Sequence, residues 1–153
     1  MTKYEELLQA AADAGIDVKE LPMAGHDGLY MDGRIAINTD LSTTAERACI
    51  LAEELSHHYT ACGDITGTSV LAVKQEISGR RATYELLVPL EKIVDAITLR
   101  CCKSIYELAE YLDVTCEFLI EALHYYQTRY GMYKAVSGKL LIFHPLGVLD
   151  DVI

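Results

Sequence analysis

A chain of 153 residues, 51% hydrophobic and 24% charged, is long enough to bury a core and too evenly mixed to stay disordered. Its formal charge of −10, from 13 Lys and Arg against 23 Asp and Glu, repels a phosphate backbone and argues against direct nucleic-acid binding. No apolar run approaches the roughly 18 residues of a membrane span, and MTKYEELLQAAADAG at the start lacks the apolar stretch of a secretory signal, so a cytoplasmic protein with no membrane contact is expected.

Residues 2–14 set Leu7, Leu8, Ala11 and Ala12 among charges, an amphipathic helix that Gly15 ends. IDVKELPM (16–23) is strand-like. In GLYMDGRIAIN (28–38), Asp32-Gly33 separates two apolar runs, the pattern of a tight hairpin turn in which glycine supplies positive φ. A small antiparallel sheet follows from it. STTAERACILAEELSHHYTA (42–61) has the pattern of a long helix: Thr43 and Glu46 have capping-box spacing, and Ala45, Cys49, Ala52 and Ser56 trace a face of small residues. ACGDITGTSV (61–70) is a loop, and a second helix is expected from about Val70 to Val88, stopped by Pro89.

EKIVDAITLRC (91–101) predicts a short helix, and residues 104–131 predict two more that meet at Asp113-Val114, the second capped by Thr115 and closed by Gly131. Leu108, Leu112, Leu119 and Leu123 should point inward. The second helix of this pair carries Glu117 and Glu121 with Arg129 as its fixed positive charge, which suits a packed hairpin better than a DNA reader. MYKAVSGKLLIFHPLGVLDD (132–151) alternates and turns at Ser137-Gly138, a second β-hairpin. The fold class is α+β, mostly helical.

Five cysteines, Cys49, Cys62, Cys101, Cys102 and Cys116, form an odd set without CxxC spacing, which fits reduced thiols acting as small hydrophobes. The segment LAEELSHHYT (51–60) carries the chemistry. Residues i and i+4 share a helix face, so Glu53 with His57 could reach one ion, and Glu54 is placed to hold a water beside it. The register of Glu54 with His58 is equally permitted, and both spacings also occur as ordinary contacts on a solvated helix face. His58 has three readings: a ligand, a transition-state donor, or a cation favoured at a helix end. Tyr59 fits the core, and His26, His124 and His144 have no partner pattern.

Downstream, KQEISGRR (74–81) and Leu86-Leu87-Val88-Pro89 put Glu76 early in the next helix, which could fold back onto the motif. With these segments the chain resembles, over most of its length, the ImmA/IrrE family of metallo-endopeptidase-like proteins, often encoded in prophages and mobile elements. There a helix with H-E-x-x-H precedes one that begins E-x-x-A and ends L-L-x-P. By position, the resemblance implies Glu53, His57 and Glu76 as metal ligands and Glu54 as general base, with Gly79 at the small position of E-x-x-A. Glu53 stands where the family has its first histidine, and Ser56 where glycine is common.

The resemblance further implies a zincin-like helical core within the α+β fold, a metallopeptidase-like region over residues 1–100, and a C-terminal helical hairpin and β-hairpin over 101–153 packed on it as one unit. Zinc is the implied cofactor. Carboxylate oxygens bind zinc at about 2.0–2.2 Å, and an oxygen-rich set also admits manganese or iron. The implied partner is a protein, a helix-turn-helix repressor cleaved in prophage or mobile-element regulation. The competing expectations are a non-catalytic module that sequesters such a regulator and a metal-free interaction protein.

Overall fold

Thr2 opens helix α1 (Lys3–Asp13), its hydroxyl accepting the Glu5 backbone N–H at 3.2 Å. The helix closes on Gly15 as its sequence requires. Ile16 N–H donates to the Ala11 carbonyl at 2.9 Å and Gly15 N–H to that of Ala12 at 3.0 Å, with Gly15 at φ +75°, the paired bonds of a Schellman end. The computed structural model describes residues 1–61 and 81–150. They fall into two units, Met1–Thr83 and Tyr84–Ile153.

In the first unit, strands β1 (Asp17–Leu21), β2 (Gly28–Met31) and β3 (Arg34–Asn38) form a sheet in the order β1-β3-β2. Asp32 at φ +48° and Gly33 at φ +74° make the two-residue turn that joins β2 to β3, both central residues taking the left-handed backbone such a turn needs. The expected antiparallel pairing holds for this hairpin, Tyr30 opposite Ile35. The sheet as a whole is mixed, because β1 pairs parallel to β3, Val18 opposite Ile35. The chain leaving β1 crosses to the far side of β3 before it turns, and β3 becomes the central strand.

Helix α2 (Thr44–Ala61) starts where Thr43 Oγ1 accepts the Glu46 N–H at 3.1 Å, while the Ser42 hydroxyl donates to Glu46 Oε1 at 2.9 Å. Its inner face, Ala48, Leu51, Ala52 and Leu55, is buried, as are Ile35 and Ile37 of β3. Helices α1 and α2 contact each other, and α2 also lies on β2 and β3. Each fully buried Leu or Ile here contributes about 1.5–3 kcal/mol of transfer free energy.

In the second unit, residues 84–87 continue a helical stretch that ends at Pro89, and helix α3 (Leu90–Thr98) begins directly after it. Helices α4 (Ile105–Leu112) and α5 (Cys116–Tyr130) form the expected pair. Asp113 takes the left-handed conformation between them, at φ 57°, and Thr115 Oγ1 accepts the Phe118 N–H at 3.1 Å. Leu108, Leu112 and Leu119 are buried and Leu123 is half-buried.

Three antiparallel strands follow, β4 (Tyr133–Val136), β5 (Lys139–Phe143) and β6 (Leu146–Asp150). The turn at Ser137-Gly138, φ 52° and 77°, is the one the sequence predicts. The tail does not stop at a hairpin, however: past His144-Pro145 the chain pairs again, Leu141 opposite Val148.

Tyr126 occupies the centre of this unit. Its hydroxyl donates to the Val88 carbonyl at 2.7 Å, and its ring stacks on Tyr130 and Phe143 with centroids 6.3 and 6.2 Å apart. Burial, reinforced by the Glu85 carboxylate, raises the pKa of this phenol and keeps it a donor. Among the described residues, no helix is long and apolar enough to cross a membrane.

Tyr126→Phe keeps the ring and orphans the Val88 carbonyl, so it should lower stability by about 1–2 kcal/mol in urea denaturation. Gly33→Ala places a Cβ at φ +74° and should cost about 1–2 kcal/mol in the same measurement. Gly33→Asn should lose less, because asparagine tolerates left-handed backbone.

Candidate metal centre

The last turns of α2 carry five described polar side chains that take different environments. Glu53 and His57, one helical turn apart, are both exposed, and the His57 side chain keeps 54% of its surface. Glu54 is 8% exposed. Ser56, at the position where glycine is common in the resembling family, is buried, and its hydroxyl donates to the Glu53 carbonyl at 2.6 Å.

His57 Nδ1 lies 3.2 Å from Glu54 Oε2. An ionised carboxylate can only accept, so beside a Glu54 carboxylate Nδ1 is the donor of this contact, and a neutral ring then has its lone pair on Nε2. A carboxylate that fixes one ring nitrogen as donor prepares the other as a metal ligand.

His58 has a different neighbour. Its Nδ1 is 3.0 Å from the Tyr30 hydroxyl, and the two rings meet edge to face with centroids 5.5 Å apart. Tyr30 Oη also accepts the Gly33 N–H at 3.3 Å, so the hairpin turn supports the phenol that supports the histidine. The two spacings left open by the sequence thus sit differently. Glu53 and His57 share the exposed face, whereas Glu54 is buried and His58 is engaged by strand β2.

Glu76 and Gly79 lie outside the described residues, as do Cys62 and the side chain of Tyr59. Among the described residues, no group of three or more His, Cys, Asp and Glu side chains gathers to hold a metal. His26, His124 and His144 are exposed, in keeping with solvated side chains. Of the described cysteines, Cys49 is buried and Cys101 is exposed, so the small-hydrophobe expectation fits the first and not the second.

Sequence reasoning missed Tyr30. The signal was present in part: β2 alternates, so Gly28 and Tyr30 share the face of the strand turned toward α2, while Leu29 and Met31 are exposed. The identity of the partner, 28 residues along the chain, depends on tertiary packing.

The chain matches the family Peptidase_M78, described as an IrrE N-terminal-like domain, over residues 11–124, a stretch that contains the whole sheet of the first unit and all of α2. None of the curated proteins matches it. A match over about three-quarters of the length, spanning the helix that carries Glu53, Glu54 and His57, makes this chain a member of the IrrE N-terminal-like family, a metallopeptidase-like domain of α+β fold.

Proposed function

We propose that the chain is a metal-dependent endopeptidase of the cytoplasm, its peptidase region within residues 1–100, that cuts a protein regulator. Glu53, His57 and Glu76 hold the ion, and Glu54 moves the proton. The observation that carries this reading is the arrangement on α2. His57 Nδ1 lies 3.2 Å from the Glu54 carboxylate, an outer contact that would orient the ring with Nε2 as its ligand atom, and Glu53 shares the same exposed face one turn away. This donor chemistry fits zinc, with manganese and iron as alternatives for an oxygen-rich set.

When bound, the ion supplies Lewis-acid polarisation of the scissile carbonyl. Glu54 takes a proton from the attacking water and returns it to the departing amine. Its partial burial beside His57 restricts the carboxylate to one region of the helix surface, so the proton is taken and returned at a fixed place. A ligand set with two carboxylates donates more charge than one with two histidines and so supports slower turnover.

A chain of formal charge −10 favours a protein partner over nucleic acid. A helix-turn-helix repressor of a prophage or mobile element is the partner we infer, by family resemblance. A second reading, a domain that sequesters such a regulator without cutting it, is favoured by Glu53 in place of histidine.

Equilibrium dialysis against zinc and manganese tests the ligand set. Glu53→Ala should weaken binding by at least about tenfold, more than the loss of a typical outer partner at its lower end; equal affinity in wild type and Glu53→Ala would remove Glu53 from the site. Glu53→His should shift preference toward zinc over manganese.

Glu54→Gln retains an amide oxygen able to accept from His57 Nδ1, so it should keep the metal and lose roughly 10²–10⁴-fold in cleavage rate. Incubation of a candidate repressor with wild type, this variant and chelator-treated protein is the direct assay. Binding without cleavage by the wild type would select the sequestering role.

A further inference from the structure

We propose that Gly28 is a positioning residue for Glu54: the side chain it lacks is the space in which the Glu54 carboxylate is held. This rests on the proton-transfer role proposed above for Glu54, and the space itself is a matter of geometry. A Cβ built on Gly28 would stand 2.5 Å from Ile50 Cγ2, 3.1 Å from Glu54 Cγ and 3.2 Å from Glu54 Oε1. The first distance is a hard overlap. The other two are tighter than ordinary carbon contacts and would have to open by a few tenths of an ångström.

Which neighbour yields decides what a methyl group at this position does. Ile50 is β-branched and on a helix, where one χ1 rotamer dominates, so its Cγ2 cannot swing aside without moving the backbone. Glu54 has three side-chain torsions and can move by changing rotamer. Relief of the overlap with Ile50 therefore takes a shift of the backbone, while the two contacts with Glu54 are relieved by a rotamer change that displaces the glutamate. Its other carboxylate oxygen is the one 3.2 Å from His57 Nδ1, so displacement also loosens the contact with the histidine ring.

The strand is kept close enough for this to matter by its next inward residue, since Tyr30 engages His58 at 3.0 Å. Gly28 and Tyr30 thus act as a pair on one face of β2. Tyr30 fixes the approach of strand and helix, and Gly28 leaves Glu54 its room within it. The backbone at Gly28 does not have positive φ, so glycine is required there by the neighbouring atoms and not by its own conformation.

The test compares Gly28→Ala, Ile50→Ala and the double variant. Ile50→Ala removes Cγ2, the source of the hard overlap, and leaves the closer approach to Glu54. Two readouts are followed in uniformly labelled full-length protein: the Glu54 side-chain carboxyl ¹³C resonance, assigned through Glu54→Gln, and the His57 ring ¹⁵N resonances. We expect the double variant to recover thermal stability lost in Gly28→Ala while both sets of resonances stay displaced from wild type. Ile50→Ala alone should leave them in place.

Return of the wild-type resonances in the double variant would overturn the proposal, because the glycine would then serve only helix–strand packing. So would an equal displacement by Ile50→Ala alone, or failure of both alanine variants at 28 to fold. Both sets of resonances are read in chelator-treated protein, so neither hydrolysis nor bound metal contributes to them. A wild type that binds no metal therefore defeats the peptidase reading and leaves this comparison to stand or fall by itself.

Discussion

The close approach of helix α2 to strand β2 depends on a missing side chain. At Gly28 the strand backbone comes within a distance of Ile50 that no Cβ could share and leaves only tight room beside Glu54, and the neighbouring features of the first unit agree with that spacing. Strand β3, with Ile35 and Ile37 buried, lies on helix α2, where Leu51 and Leu55 are almost fully buried. The tight turn at Asp32-Gly33 then presents Tyr30 to His58 at hydrogen-bond distance. A wider gap between strand and helix would leave voids beneath these side chains and separate the phenol from the imidazole.

One consequence is that a single helix end presents several chemistries in different directions. Glu53 and His57 remain toward solvent, Glu54 is drawn under the strand, and His58 is taken up by the sheet. Four ionisable residues in six positions could otherwise repel or interchange. Their environments separate them: in the reading proposed above the exposed pair holds the ion and the buried carboxylate moves the proton, while His58 is anchored to strand β2.

Much of this was legible in the sequence wherever local backbone chemistry decides the outcome. Asp32-Gly33 and Ser137-Gly138 both adopt the positive φ values their turns require, Gly15 ends α1, and Thr115 caps α5. These depend on neighbours within a few residues. The parallel pairing of β1 with β3 and the third strand at Leu146–Asp150 were not legible, because strand partners are chosen by tertiary packing and a short apolar run does not say which neighbour it will find. At the site, helical spacing put Glu53 and His57 on one face and left Glu54 with His58 equally open. What distinguished them was the strand on which Gly28 and Tyr30 sit, a relation that periodicity within the helix cannot contain.

The aromatic centre of the second unit gives the protein an optical property. The chain has ten tyrosines and no tryptophan, so no indole drains or masks tyrosine excitation. Tyr126 and Tyr130 stack at an interplanar angle of 17°, Tyr84 and Tyr125 have centroids 5.3 Å apart, and all four belong to the unit that begins at Tyr84. Near-ultraviolet circular dichroism depends on fixed aromatic packing. In this molecule that signal is weighted toward the unit that lacks the candidate metal centre, so the tyrosine band serves as an internal reference for the fold while changes are made at α2.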